Sequence, residues 1–354
     1  MGTTANPLHI LVAGGGIAGN AVALQLLRAD IRVTIVERAA APRPGGQAVD
    51  LRGPSREVAE RMGLMPGIGK YQLDELGMSY VDPRGRTLAD MSMEMFDGKG
   101  PVADIEFRPG HRRRRHSLGH PAPGVRAGGE VQHLPRRVHV VFTIPTPADV
   151  RPGWFTLQLI PGAAVGIRPD RDPATSKAIL TMLTDPDPAL RGDVAAQYRL
   201  IRQHLAGDGW HAPMILDAMA TTGDFYFDEL ARIDMPTLNA GRVTLLGDAG
   251  YCGSPMTGMG TAMAIVGAYV LAGEIAATPL DLTDALRRYE EKVTPFLDKA
   301  KELPGGGISM MLSHSGFGTA LRRTANRVMF SRALRPVMKK VFFGKTDDYE
   351  LPVY

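Results

Sequence analysis

Apolar residues recur along this chain with two periods, and the changes between them mark its elements. His9 to Val12 is a short apolar run, a glycine cluster follows, and Ile17 to Arg28 has helical spacing. Arg32 to Glu37 alternates and is β-branched, which predicts a strand. Strand, glycine turn, helix and strand in that order open a parallel βαβ unit. Residues 78–92 predict a hairpin turning at Asp82-Pro83-Arg84-Gly85, and Asp104 to Arg108 is another strand candidate. Between 139 and 184 the runs HVVFTI, WFTLQLI and KAILTML read as strands separated by Pro and Gly turns. Residues 193–206 and 213–220 predict amphipathic helices, and 224–230 a strand. Arg242 to Leu246 is an apolar strand, followed by a second glycine-rich turn and a helix of small residues through Ile275. A charged helix over 284–302 stops before Gly305-Gly306-Gly307, and a Met- and Arg-rich helical tail follows.

Composition narrows the class. Apolar residues are 44% and charged residues 22%, as in an ordinary globular protein. No uninterrupted apolar run reaches 18 residues, so no integral membrane association is expected. The single cysteine, Cys252, excludes an intramolecular disulfide and fits a cytoplasmic location. The net charge of +4 is local: residues 111–137 hold seven Arg and one Glu, and the rest of the chain sums to −2. That distribution argues against a nucleic-acid partner. His111, His116, His120, His133 and His139 lack a ligand spacing, so no metal is expected.

Two motifs carry chemistry. Gly14, Gly16 and Gly19 form a GxGxxG turn between strand and helix, with Glu37 at the end of the next strand. Gly14 permits the tight turn, Gly16 lets the backbone approach a pyrophosphate, and Gly19 allows close helix–strand packing. The helix N-terminus, with Ala18 in its first turn, offers N–H groups to phosphate. Glu37, beside Arg38, can accept hydrogen bonds from an adenosine ribose. This motif alone leaves FAD and NAD open. The second runs from Gly241 to Glu274 as strand, Gly247-Asp248, loop, Ser254-Pro255-x-x-Gly258-x-Gly260, helix. There a carboxylate can take ribityl hydroxyls, the glycines admit a flavin ring, and the helix N-terminus favours negative charge.

The second string resembles the FAD motif of the single-component flavin-dependent aromatic hydroxylases. The loop from Gly45 to Leu51 and Arg108 are similar to that family's flavin-side loop and FAD-contacting arginine. The resemblance implies an α/β fold: a Rossmann-like FAD-binding domain, an inserted β-sheet substrate domain and a C-terminal helical segment. The expected boundaries are 1–137 and 236–285 for the FAD domain, 138–235 for the substrate sheet and 286–354 for the C-terminal helices. It implies an FAD-dependent monooxygenase in which NAD(P)H is the transient reductant. O2 and a small aromatic or polyketide-like molecule are the substrates. Cofactor residues carried over are Gly14, Gly16, Ala18, Gly19, Glu37, Arg38, Arg108, Gly247, Asp248, Pro255, Gly258 and Gly260; no catalytic side chain is assigned. Alternative readings are a non-catalytic remnant and a flavin reductase or dehydrogenase that does not hydroxylate.

The pattern breaks between Arg108 and the strand at 139. The family's Gly-Ala-Asp-Gly turn with its Ser and Arg pair is absent, and the connection is several dozen residues short. Arg114 to Ala127, back-translated with G/C-rich codons and read one base later, gives Asp-Gly-Ile-His-Ser-Ala-Thr-Arg-Arg-Leu-Ala-Phe-Gly. That string is similar to the missing motif, so a shifted reading frame over 111–137 is the expectation.

Overall fold

The computed structural model describes residues 8–40, 51, 53–71, 73, 75–92, 130–185, 187–207, 209–253, 257–302, 312–313, 315–329 and 349–354. The chain opens as its pattern dictates. β1 (His9–Ala13) and β2 (Arg32–Val36) pair in parallel, and α1 (Ile17–Arg28) joins them. Asp30, at φ 56°, ends the helix, and Ile31 N returns to Leu26 O. Two helices that the apolar pattern does not predict follow, α2 (Pro54–Arg61) and the short α3 (Met65–Ile68).

The predicted hairpin is β3 (Gly77–Val81) with β4 (Thr87–Ser92). Its turn is held by Asp82, whose Oδ1 accepts the N–H groups of Arg84 and Arg86. Next come β5 (Glu130–Pro145), β6 (Trp154–Ile160), β7 (Ala163–Pro169) and β8 (Thr175–Leu183). α4 (Val194–Leu205), capped by Asp193, α5 (Ala212–Thr221) and β9 (Tyr226–Asp234) complete this half. The strands form one sheet in the order β4-β3-β6-β7-β8-β5-β9, antiparallel except for the parallel β3–β6 pair.

Alternation divides this sheet into two faces. Val138, Val140, Phe142 and Ile144 of β5 and Ala178, Leu180 and Met182 of β8 point to one side. There they pack against Ala196, Ile201 and Leu205 of α4 and Ile215 and Met219 of α5. Each fully buried large side chain of this layer contributes roughly 1.5–3 kcal/mol. The other face carries Tyr80, Leu157, Leu159, Ala164, Leu183 and Leu230, together with Leu312.

The chain then returns to the first half. β10 (Asn239–Ala240) and β11 (Val243–Thr244) make a two-residue antiparallel ladder, much shorter than the strand expected over 242–246. Among the described residues β11 does not join β1, and the parallel sheet has two strands. α6 (Asp248–Tyr251), α7 (Gly260–Ala277), α8 (Leu282–Lys301) and α9 (Gly316–Met329) follow. α7 is long and apolar enough to cross a membrane, but most of it is buried against α1, α2 and α8. Val22 and Leu26 of α1, Val58 of α2, Val266 and Val270 of α7 and Tyr289 and Phe296 of α8 share one core.

Candidate active site

The first glycine turn is built as its spacing requires. Gly14 adopts φ +117°, a value that L side chains rarely take, and its N–H donates to Val36 O at 2.8 Å. A Cβ on Gly19 would stand 2.0 Å from Gly14 O, so only glycine lets α1 begin this close to the strand. A Cβ on Gly14 or Gly16 would meet nothing within 4 Å. Asn20 completes the turn: its Nδ2 donates to Gly15 O at 2.5 Å and to Gly16 O at 3.1 Å. Asn20 is signalled in the sequence only by an amide in the first helical turn after the glycines.

Glu37 differs from expectation in one respect. Its Oε1 accepts Ala39 N at 2.7 Å and its Oε2 accepts Gly15 N at 2.8 Å. These backbone donors, that of Ala39 foremost, hold the carboxyl below the ordinary range. The carboxylate expected to face a ribose is thus also a brace between β2 and the glycine turn. Each oxygen keeps a second lone pair for a ligand hydroxyl. Arg38 is exposed beside it.

The second motif lies directly against the first. Gly247 adopts φ +65°, and a Cβ there would stand 2.9 Å from Ala18 Cβ. The chain therefore turns at the first turn of α1, and Asp248 opens α6 with its side chain exposed. Below the turn, Tyr251 is buried with its hydroxyl against Gly267 of α7, where a Cβ would come within 2.0 Å. Tyr289 of α8 donates to Leu245 O at 3.2 Å. Burial pushes both phenols up, Tyr251 to about 12, so both stay protonated donors. Gly258 (φ +65°) and Gly260 are exposed, with open space at their Cβ positions. α7 starts at Met259 without a side-chain cap, so its first-turn N–H groups are not consumed by one.

Pro255, Arg108 and the segment 111–129 lie outside the described residues, as does the Gly45 loop up to Asp50; Leu51 is buried in the core. Cys252 is buried and donates to Gly253 O at 3.4 Å. Burial, then the Asp248 and Asp228 carboxylates, push its thiol up to about 12, so it is not a thiolate nucleophile at neutral pH. Of the five histidines noted above, His139 has a described side chain: it lies in β5, with Nδ1 3.1 Å from Thr181 Oγ1. Burial pushes its pKa down to about 4, leaving it neutral.

These residues fit a dinucleotide that carries a flavin. One tight glycine turn with open space beside it meets a second, which the exposed Asp248 follows directly, and α7, packed on α1, starts without a side-chain cap. No family model matches the chain. An uncharacterized protein of Mycobacterium tuberculosis is 30% identical, the match covering 84% of this chain and 94% of the relative. The FAD-dependent monooxygenase asL4 of Sarocladium schorii is 28% identical, with 83% of this chain and 85% of the relative covered. Among solved structures, tetracycline destructase Tet(51) superposes with a TM-score of 0.74 at 24% identity, over 98% of this chain and 100% of that one. The chain belongs to the family of FAD-dependent monooxygenases, oxidoreductases whose cofactor is FAD and whose substrates are O2 and small molecules. The mycobacterial alignment spans 354 positions but uses only 84% of this 354-residue chain. About one position in six, several dozen residues of the relative, has no counterpart here.

Proposed function

We propose that this protein is a cytoplasmic monooxygenase that holds FAD across its two glycine motifs and hydroxylates a small aromatic or polyketide-like molecule with NAD(P)H and O2. The carrying observation is the contact of Gly247 with Ala18, which merges the motifs into one site. In this reading Gly14, Gly16, Ala18, Gly19, Glu37 and Arg38 take the ADP half. Gly247, Asp248, Gly258 and Gly260 take the flavin half, joined by Pro255 and Arg108 from their places in the sequence. When bound, the flavin supplies the redox chemistry.

The chain's own residues bind, orient and shield. Asp248 accepts from ribityl hydroxyls, and the α7 N-terminus favours negative charge on the ring system. The sheet face that carries Tyr80, Leu157, Leu159 and Leu230 supplies an apolar wall that limits water. Residues 1–137 with 236–285 form the cofactor unit, 138–235 the substrate unit and 286–354 the C-terminal helices.

The purified protein releases FAD on heating, and added FAD raises its melting temperature. NADPH oxidation coupled to an oxygenated product then tests the reaction. A protein that stays colourless after reconstitution, with no melting shift, sinks the reading.

A further inference from the structure

α9 packs against β4 and β6 of the seven-stranded sheet. Its start is anchored: Leu312 joins the sheet face of Tyr80 and Leu157, and Ser313 O accepts Gly162 N at 2.7 Å. Among the described side chains of α9 the buried one is Thr319, whose Oγ1 donates to Ser315 O at 2.9 Å. The opposite side of the helix is apolar and faces water. Phe317, Leu321 and Val328 are 83%, 61% and 57% exposed. Their spacings of four and seven residues set them in one stripe, and Thr319 falls on the other side of the helix. A helix packed on a core ordinarily buries such a stripe; here it is left uncovered.

The sequence around the stripe is strongly cationic. α9 contains Arg322, Arg323 and Arg327 and neither Asp nor Glu. From Leu303 to Thr346 there are eight Arg and Lys and no acidic residue, a local sum of +8 in a chain whose net charge is +4. Outside this stretch and 111–137 the chain sums to −10. That charge selects among the partners that could cover the stripe. A second copy would bring like charge against like charge. Nucleic acid would take the cations and leave the apolar stripe in water. An anionic lipid surface satisfies both, since its acyl boundary takes Phe, Leu and Val and its headgroups take Arg and Lys.

We propose that the exposed stripe of α9 docks this protein on an anionic phospholipid surface, with the helix lying along the headgroups. At 14 residues α9 is too short to span a bilayer. The attachment is peripheral: apolar insertion holds the helix, and charge chooses the lipid.

Flotation of the full-length protein with vesicles tests this. One set is phosphatidylcholine alone, and the other holds about an equal part of phosphatidylglycerol. The parent is expected to bind the mixed vesicles at least about tenfold more tightly than the neutral ones, and raised salt lowers that preference. Phe317→Ser with Leu321→Ser and Val328→Ser lowers binding to the mixed vesicles at least about tenfold and leaves the circular dichroism unchanged. Arg322→Gln with Arg323→Gln and Arg327→Gln lowers the preference for the mixed vesicles at least about fivefold. A parent that floats with neither set, or equally with both, overturns the proposal. So does a stripe variant that binds like the parent, because the attachment then lies elsewhere, as in the arginines of 111–137. An arginine variant that keeps the full preference overturns it too. A parent that is a dimer in sedimentation equilibrium, and a monomer once the stripe is substituted, assigns the stripe to a second copy instead. Phe317 is so exposed that Phe317→Ser alone, with an expected loss of about threefold, decides where a triple variant fails to fold.

Discussion

Glu37 and Asp248 bring two carboxylates to one site in different states. Glu37 is braced by two backbone donors, while Asp248 is exposed at the start of α6. Asp248→Ala is therefore expected to act mainly on FAD binding. The loss of one charge-assisted bond is about 1.5–3 kcal/mol, roughly tenfold to a hundredfold in Kd. Glu37→Ala weakens FAD binding less and lowers the apoprotein melting temperature, because it also unties Gly15 from β2. FAD titration and thermal melts of both apo-variants check the split. Gly19→Ala forces α1 away from Gly14 O, an overpacking cost of about 1–3 kcal/mol. FAD retention is lost with it, which a flavin spectrum of the purified variant reads.

A second residue-scale prediction concerns acid. Burial opposes ionisation of Asp224, but Thr143 through Oγ1 and N, Thr222 and the Lys177 ammonium outweigh it and hold the carboxyl at about 2. The folded pKa lies below the unfolded value of about 3.9, so this stabilisation is full above that value and is lost as pH falls toward 2. Asp224→Asn is expected to melt lower than the parent at pH 7, by about 1–3 kcal/mol for the groups left unpaired. The gap closes between about pH 4 and pH 2. A gap that stays constant across that window would show that Asp224 does not carry the effect.

At the scale of elements, residues 349–354 fasten the far side of α7. Tyr354 donates to Glu274 Oε1 at 2.6 Å, and Glu274, buried in α7, also takes Arg288 and Lys292 of α8. Pro352 O accepts from Arg61 of α2 at 2.8 Å and from Tyr269 of α7 at 3.1 Å, while Leu351 is buried. Deleting residues 351–354 removes the Leu351 contact and leaves Glu274 with one donor fewer. A loss of about 2–4 kcal/mol is expected, read by urea unfolding. The opposite side of the unit is uncovered by comparison: Leu11 of β1 and Val36 of β2 are 68% and 55% exposed.

Most elements were legible because their periods are clean: α1 and the hairpin at 82–85 fall where the pattern puts them. β7 was not, because AAVGIRP has small residues, a glycine and a proline in place of alternation. Gly166 is in fact required there, since a Cβ would meet the Phe155 ring at 2.6 Å. α2 was hidden by its polar sequence, in which Val58 and Ala59 carry the buried contact. In the site, both glycine motifs were visible as strings. The meeting of Gly247 with Ala18 depends on packing between turns far apart in sequence, which no local pattern encodes.

At the scale of the whole molecule, the chain matches its relatives over most of its length and lacks several dozen of their residues. The resemblance puts the family's central turn where residues 111–137 stand, and a shifted reading frame is the account proposed for them. The coding nucleotides for Arg114 to Ala127 are expected to encode the Asp-Gly and Arg-Arg string when read one base later. Reading the gene sequence checks this directly. A coding sequence whose shifted frame gives no such string rules the account out.

The contact of Gly247 with Ala18 also sets an order in time. The two halves of the proposed FAD site are about 230 residues apart, and α1 reaches its final packing only when α7 exists. Closing so long a loop comes late, after the local hairpins and helices have formed. A growing chain on the ribosome therefore has no cofactor site until residue 260 and the helix after it have emerged. FAD acts as a seal on a finished fold and not as a nucleus for it. In refolding, quenching of FAD fluorescence is expected to lag the recovery of β-sheet signal, and raising the FAD concentration leaves the lag unchanged.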